Sequence, residues 1–403
     1  SCFLFVQMSP TMVRRAEAQD RRAVFVAQGT VTFDGAPPPG TINLGIGQPS
    51  ADLLPVGLVH RASEAFFACA EPFELNYGVI AGDARFLQSL AGFLSTGYGA
   101  TVTADTLFAT GGNSQALDLV SSVFAKPGDT VFVEEPSYFL AFQIFRDHHL
   151  NVVGIPMTQD GPDIEALRQE LDRTTPAFFY TIPSFHNPTG WSSTAPRRQQ
   201  IVSLAEENGF LVVADEPYQH LFYYAEPPPA FGTMIASEVV LSLGSFSKIL
   251  APGMRLGWIQ TCDELRRQIL GNGFVNSGGS INHISSHIVR HAIDAGLLDN
   301  HIARLRTVLR GRVEAMDAAL HEHFDGLATW TRPDGGYFFW LRFDESVDAA
   351  ALRRKAPGRE TGFQAGDVFS AAGQFGNYVR LSFAHYNEED IREGIARMRP
   401  LFD

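Results

Sequence analysis

Lys248 lies in the run Ser245-Phe246-Ser247-Lys248-Ile249-Leu250-Ala251-Pro252-Gly253-Met254-Arg255. Its neighbours are apolar or hydroxylated, and a guanidinium follows seven positions on. Desolvation and like charge both disfavour an ammonium in such a place, and a less protonated amine attacks carbonyls. Lys248 therefore reads as a Schiff-base lysine. Ser245 and Arg255 read as ligands for a phosphate on the same cofactor, while Ser247 either joins them or caps the turn. Asn113 and Ser114 follow the strand-end turn Thr110-Gly111-Gly112 and open an apolar helix. They are the best phosphate donors, because backbone amides at a helix start and small polar side chains suit an anion. Asp215 ends the apolar run Val212-Val213-Ala214 and is followed by Glu216, Pro217 and Tyr218. Asp215 reads as a working carboxylate and Glu216 as a solvated one. Arg380 sits in the apolar run Tyr378-Val379-Arg380-Leu381-Ser382-Phe383. A charge there needs a partner, and a substrate α-carboxylate matches guanidinium in a planar two-point contact.

These residues must be positioned by regular elements. Apolar runs at 107–110, 130–134, 152–155, 177–182, 210–214, 239–243 and 257–261 have the length and composition of buried strands. Helix-like segments at 114–124, 164–171 and 195–207 alternate with them, which predicts an α/β core with a largely parallel sheet. The chemistry-bearing residues fall where the strands end, the edge at which open α/β sheets bind ligands. Beyond about residue 285 the pattern changes. A long helical stretch at 287–324, strands at 336–343 and 378–383, and helices at 349–355 and from 388 predict a smaller α+β domain. The predicted division is an N-terminal arm with part of the small domain (1–50), a large domain (51–285) and a C-terminal small domain (286–403).

In one consistent order over about 43–397, these segments resemble the class I/II pyridoxal-phosphate aminotransferases of fold type I. The resemblance rests on Ser245-x-Ser247-Lys248 with Gly253-x-Arg255-x-Gly257, on Pro127-Gly128-Asp129, and on Glu134-x-Pro136-x-Tyr138. Asn187-Pro188-Thr189-Gly190, Asp215-x-x-Tyr218, Asn76-Tyr77-Gly78 and Arg380 complete it. It is nearest to the 2-aminoadipate and kynurenine aminotransferase subgroup, and it extends to the aminotransferase-like domain of certain bacterial regulators. The implied fold is a large, mainly parallel-sheet domain beside a smaller α+β domain, and the implied cofactor is pyridoxal 5'-phosphate on Lys248. The family pattern stacks Tyr138 on the cofactor ring, sets Asp215 at the pyridine nitrogen, and directs Asn187 and Tyr218 to the 3'-oxygen. It places Asn113, Ser114, Ser245 and Arg255 around the phosphate. Arg380, Asn187 and Gly47 are implied for the substrate, with 45–50 lining the side-chain pocket. Tyr77 is implied to reach the phosphate of a neighbouring subunit in a homodimer with shared sites. Two departures stand out: Arg85-Phe86-Leu87 replaces a usual Leu-Arg, and Ala365 stands where proline is usual.

The resemblance implies amino-group transfer from an L-amino acid to a 2-oxo acid by a ping-pong course, with Lys248, Asp215 and Tyr218 as the catalytic set. A β-lyase or decarboxylase could use the same scaffold. A non-catalytic regulator would need a winged-helix domain, and only about forty residues precede the core here. The formal net charge of -13 opposes nucleic-acid binding. No apolar run approaches the ~20 residues that span a bilayer. Three cysteines, Cys2, Cys69 and Cys262, form no disulfide or zinc pattern and fit a reducing, cytoplasmic setting. Arg14, Arg15, Arg21 and Arg22 give the N-terminus a faint likeness to a transit segment, although an arm packed on another subunit or over a pocket is the expectation.

Overall fold

The computed structural model describes residues 38–279 and 281–403. The arginine-bearing segment 14–22 and Cys2 lie outside the described residues. The compact unit of interest runs from Ile42 to Asp403. Its strands are β1 (Ile42–Asn43), β2 (Leu107–Thr110), β3 (Thr130–Glu135), β4 (Asn151–Thr158), β5 (Gly161–Pro162), β6 (Phe178–Thr181) and β7 (Leu211–Asp215). They continue with β8 (Val240–Ser245), β9 (Gly257–Thr261), β10 (Ala328–Thr329), β11 (Phe338–Phe343), β12 (Thr361–Gly362), β13 (Gln364–Ala365) and β14 (Tyr378–Ser382).

An eight-stranded sheet has the order β2-β9-β8-β7-β6-β3-β4-β5. Its centre, β8-β7-β6-β3-β4, is parallel, whereas β9 is antiparallel to both neighbours and β5 to β4. Helices cover the sheet, so β6 and β8 are buried along their whole length. That burial on both faces is why these strands read as continuous apolar runs rather than alternating ones. All seven predicted strands are present. Two apolar layers result: one holds Val131, Val133, Tyr180, Val213 and Leu241, the other Phe132, Phe179, Val212, Ala214 and Val240.

A second sheet, β10-β11-β14-β13, is antiparallel. Arg380 of β14 stands between Trp340 of β11 and Gln364 of β13, which keeps it off the sheet edge. The pairing of β1 with β12 carries the chain at Ile42 to the C-terminal elements. The helical stretch predicted at 287–324 is corrected to two helices, His283–Asp294 and Leu297–Phe324. Gly296 at φ +65° breaks it, a left-handed conformation that glycine adopts without a Cβ penalty. The apolar pattern runs on through the break, so periodicity alone did not mark it. No helix among the described residues is long and apolar enough to cross a membrane.

Candidate active site

Strand β8 delivers Ser245, which caps the short helix Phe246–Ile249 by accepting a hydrogen bond from the Ser247 amide at 3.1 Å. That helix sets Lys248 beyond the carboxyl end of β8. Its Nζ donates to the Gly47 carbonyl at 3.1 Å and lies 5.3 Å from the centre of the Tyr337 ring. Burial, then the charge of Arg380, pushes the amine down from 10.5 to about 8; Asp215 opposes this and Arg255 adds to it. Desolvation and like charge thus both act on this amine in the lowering direction.

Asp215 closes β7 and is buried. Its Oδ1 accepts from Asn113 Nδ2 at 2.5 Å and its Oδ2 from the Tyr180 hydroxyl at 2.8 Å. Burial raises this carboxyl above its ordinary value, against the lowering effect of Tyr180, Asn113 and Lys248. The Asn113 amide, expected on the phosphate, thus points to Asp215 in this structure. Glu216 requires a correction. It is buried rather than solvated: its carboxylate accepts from Ser242 Oγ at 2.6 Å and the Phe231 amide at 3.0 Å, and lies 3.8 Å from Arg198. The strand ends one residue before it, so its side chain turns into the layer beneath the site.

Arg380 is buried yet has no carboxylate within ion-pair distance among the described residues. Nη1 donates to Asn187 Oδ1 at 2.9 Å and Nη2 to the Gly45 carbonyl at 2.8 Å. The Phe338 and Phe369 rings lie 4.2 and 4.9 Å from the guanidinium carbon, a cation–π setting for a desolvated charge. Burial lowers its pKa to about 10. Asn187 precedes a cis prolyl peptide, as Glu135 does before Pro136. A side chain at Gly47 would meet Phe338 at 3.1 Å and Arg380 Nη2 at 3.5 Å, so glycine keeps the guanidinium approachable.

At the other side of Lys248, Arg255 Nη2 donates to the Gly111 carbonyl at 3.1 Å. Gly112 has φ +87°, and a Cβ there would stand 3.3 Å from Arg255. The guanidinium therefore lies on the turn that opens the helix Asn113–Phe124, where Ser114 is exposed. Backbone amides, a hydroxyl and a cation converge there, the set an anion needs. Tyr138 follows β3, with its phenol pushed up to about 12 by burial and by Asp215. Tyr218 is buried against Tyr337 and Phe338, with ring centres at 5.4 and 6.1 Å. Tyr77 makes none of these contacts and is 79% exposed.

Several residues at or below the site went unnoticed in the sequence. Tyr180 looked like one more strand aromatic. Glu134, noted only as part of a motif, accepts from Thr181 Oγ1 at 2.5 Å and the Ile182 amide at 2.7 Å, and lies 3.1 Å from His186 Nε2. Arg198 is fully buried and donates to the carbonyls of Pro183, Ser193, Pro228 and Pro229. It ties the loop bearing Asn187 to the one after Tyr218. Nothing short of knowing which loops meet would single out that arginine.

The residues present fit pyridoxal phosphate. A lysine whose amine is lowered to about 8, a cationic turn, and a buried carboxylate and a buried guanidinium that lack a counter-charge at ion-pair distance among the described residues are what its carbonyl, phosphate, ring nitrogen and amino-acid substrate would meet. The model of the family described as aminotransferase class I and II matches residues 39–398. An aromatic-amino-acid aminotransferase of Thermococcus litoralis is 32% identical over 89% of this chain and 87% of its own length. A 2-aminoadipate transaminase of Thermus thermophilus is 32% identical over 89% of each chain. The crystal structure of LysN, the α-aminoadipate aminotransferase of Thermus thermophilus complexed with N-(5'-phosphopyridoxyl)-L-leucine, superposes with a TM-score of 0.82. It is 30% identical and covers 90% of this chain and 92% of that one. The lysine, its surroundings and these likenesses lead to one conclusion: this chain belongs to the class I and II aminotransferases, fold-type-I enzymes that use pyridoxal phosphate to move an amino group from an amino acid to a 2-oxo acid.

Proposed function

We propose that Lys248 anchors the cofactor through Nζ and, once a substrate amine has displaced it, carries the proton between the substrate α-carbon and the cofactor 4'-carbon. Arg380 holds the substrate α-carboxylate meanwhile. When bound, pyridoxal phosphate supplies the electron-withdrawing ring that acidifies the α-carbon and the carrier on which the amino group waits between half-reactions. The observation that carries this reading is the pairing of a buried Arg380, with no carboxylate at ion-pair distance among the described residues, with a lysine lowered to about 8. An amine with a pKa near working pH serves as both base and acid.

In the same reading Asp215 meets the ring nitrogen, Tyr138 lies on the ring face, and Tyr218 and the Asn187 amide nitrogen serve the 3'-oxygen. Ser114, Ser245, Arg255 and the turn amides hold the phosphate, and Gly47 borders the substrate. The unit is a homodimer whose sites are shared through Tyr77. Phe73, Leu75, Tyr77 and Val79 are each more than 60% exposed on one stretch, an apolar run that a second subunit would cover. The division at residues 50 and 285 is supported by the two sheets, one within 107–261 and the other within 328–382. A cytoplasmic setting completes the reading, supported by the few cysteines.

The test is an amino-donor panel with 2-oxoglutarate as acceptor. It should include aromatic amino acids and 2-aminoadipate, which the names of the two relatives suggest. The expected result is one 2-oxo acid per glutamate, without free ammonia, and loss of turnover in Lys248→Ala. Ammonia release, or full turnover in that variant, would overturn the assignment.

A further inference from the structure

Asp215 is gripped on both oxygens from two different elements. Tyr180 belongs to β6, the strand next to β7, and donates to Oδ2; Asn113 starts the helix Asn113–Phe124 and donates to Oδ1. The carboxylate therefore cannot turn about its Cβ–Cγ bond without breaking a hydrogen bond. A carboxylate offers about four lone-pair sites, so two remain for a further partner. The direction of the Asn113 amide is chemically forced, since its oxygen turned toward Asp215 would repel the carboxylate. Presenting nitrogen leaves Asn113 Oδ1 buried without a partner among the described residues, a cost that native structures rarely accept without function. The Tyr180 phenol, burial pushing it well above its usual value, stays a donor at every working pH.

We infer that Asn113 and Tyr180 are positioning residues that aim Asp215 at the cofactor ring nitrogen and keep its carboxylate ionised there. This role rests on the assignment of Asp215 to that nitrogen. Burial alone favours the neutral acid, which would leave the ring nitrogen without a counter-charge. Two donors shift the balance to the carboxylate, because hydrogen bonds to the charged form stabilise it. A ring nitrogen held against that carboxylate would keep its proton.

The experiment uses holoenzyme carrying pyridoxal phosphate labelled with ¹⁵N in the ring, whose chemical shift reports whether that nitrogen is protonated. The parent should give the protonated signal at neutral pH and Asp215→Asn the unprotonated one. Tyr180→Phe and Asn113→Ala should each move the signal part of the way. Each should also lower kcat about tenfold, the loss of one hydrogen bond to a charge, with KM nearly unchanged. If both single variants keep the parent signal and kcat while Asp215→Asn loses the proton, the inference fails and the assignment of Asp215 stands. If Asp215→Asn keeps the protonated signal, the assignment itself fails and takes the inference with it. Should Tyr180→Phe not fold, Asn113→Ala decides alone, since it removes the donor to the other oxygen from a partly exposed helix start.

Discussion

The lysine amine is open to a direct measurement. The chain has only three lysines, Lys126, Lys248 and Lys355, so apoprotein labelled with ¹³C at the lysine ε-carbon gives a three-signal spectrum that can be followed with pH. Lys248 should titrate at about 8 instead of the ordinary 10.5. At pH 7 that corresponds to about 300 times more neutral amine. Three causes can be separated by substitution. Arg380→Leu keeps the apolar surroundings and removes a positive charge, so the midpoint moves up. Asp215→Asn removes a negative charge, so it moves down. The remainder of the depression, which burial and Arg255 cause, survives both. A midpoint at the ordinary lysine value, or one that neither substitution moves, would refute the account of Lys248.

The same shift has a consequence for stability. The folded chain loses the Lys248 proton near pH 8 and the unfolded chain near 10.5, so between these values the unfolded state binds more protons and stability rises with pH. Below pH 8 the full penalty of burying the ammonium is present. Lys248→Met should therefore stabilise the apoprotein at pH 7 by up to about 3 kcal/mol, with the advantage shrinking through the window and gone above 10.5. Denaturant titrations of both proteins at pH 7 and pH 10 check the sign.

Arg380→Lys keeps the charge and loses the planar fork, so kcat/KM for amino acids should fall about 100-fold, or roughly 2.7 kcal/mol. An equal fall with an amine that lacks the carboxylate would show that the contact is misassigned. Mixing unfolded Tyr77→Ala and Lys248→Ala chains and refolding them together should restore about one quarter of parent activity, because half the dimers then hold one intact shared site. No recovery would mean that Tyr77 does not act across subunits. Arg198→Met removes the buried cation beside Glu216, and apoprotein stability should drop by about 3–5 kcal/mol in denaturant titration. A loss under about 1 kcal/mol would deny Arg198 its role as the tie between loops.

The strands of the large sheet were legible because burial on both faces leaves one signal, a short unbroken apolar run. The residues at their carboxyl ends were legible because small polar and charged groups interrupt that signal. Lys248, Asp215 and Asn187 come to one place because the adjacent parallel strands β8, β7 and β6 end together, and Arg380 reaches Asn187 from β14 of the second sheet. What escaped notice depends on partners distant in sequence. Tyr180 is 35 positions from the Asp215 it serves, and no local pattern distinguishes it from a core aromatic; Asn113, read as a phosphate donor, is 102 positions from the carboxylate its amide meets. Glu216 was misjudged for the same reason, because its neutralising arginine and its serine come from other elements. The break at Gly296 was hidden by apolar spacing that continues on both sides.

Asp215 and Glu216 are consecutive, both buried, and both raised by that burial, yet the chain treats them differently. Glu216 is met by Arg198, Ser242 and a backbone amide, so its charge is answered within the protein. Among the described residues Asp215 receives only neutral donors, and Arg380 meets only an amide and a carbonyl oxygen. A buried charge left without a counter-charge costs several kcal/mol, and such a cost persists where a ligand offsets it. The two kinds of buried charge thus separate the frame from the working groups. Arg198, Glu134 and Glu216 fasten the loops beneath, whereas Asp215 and Lys248 beyond the strand ends and Arg380 within β14 are held in geometry by neutral partners. On this argument cofactor and substrate carboxylate each complete an electrostatic pair that folding leaves open, which is why binding and stability should rise together in this enzyme.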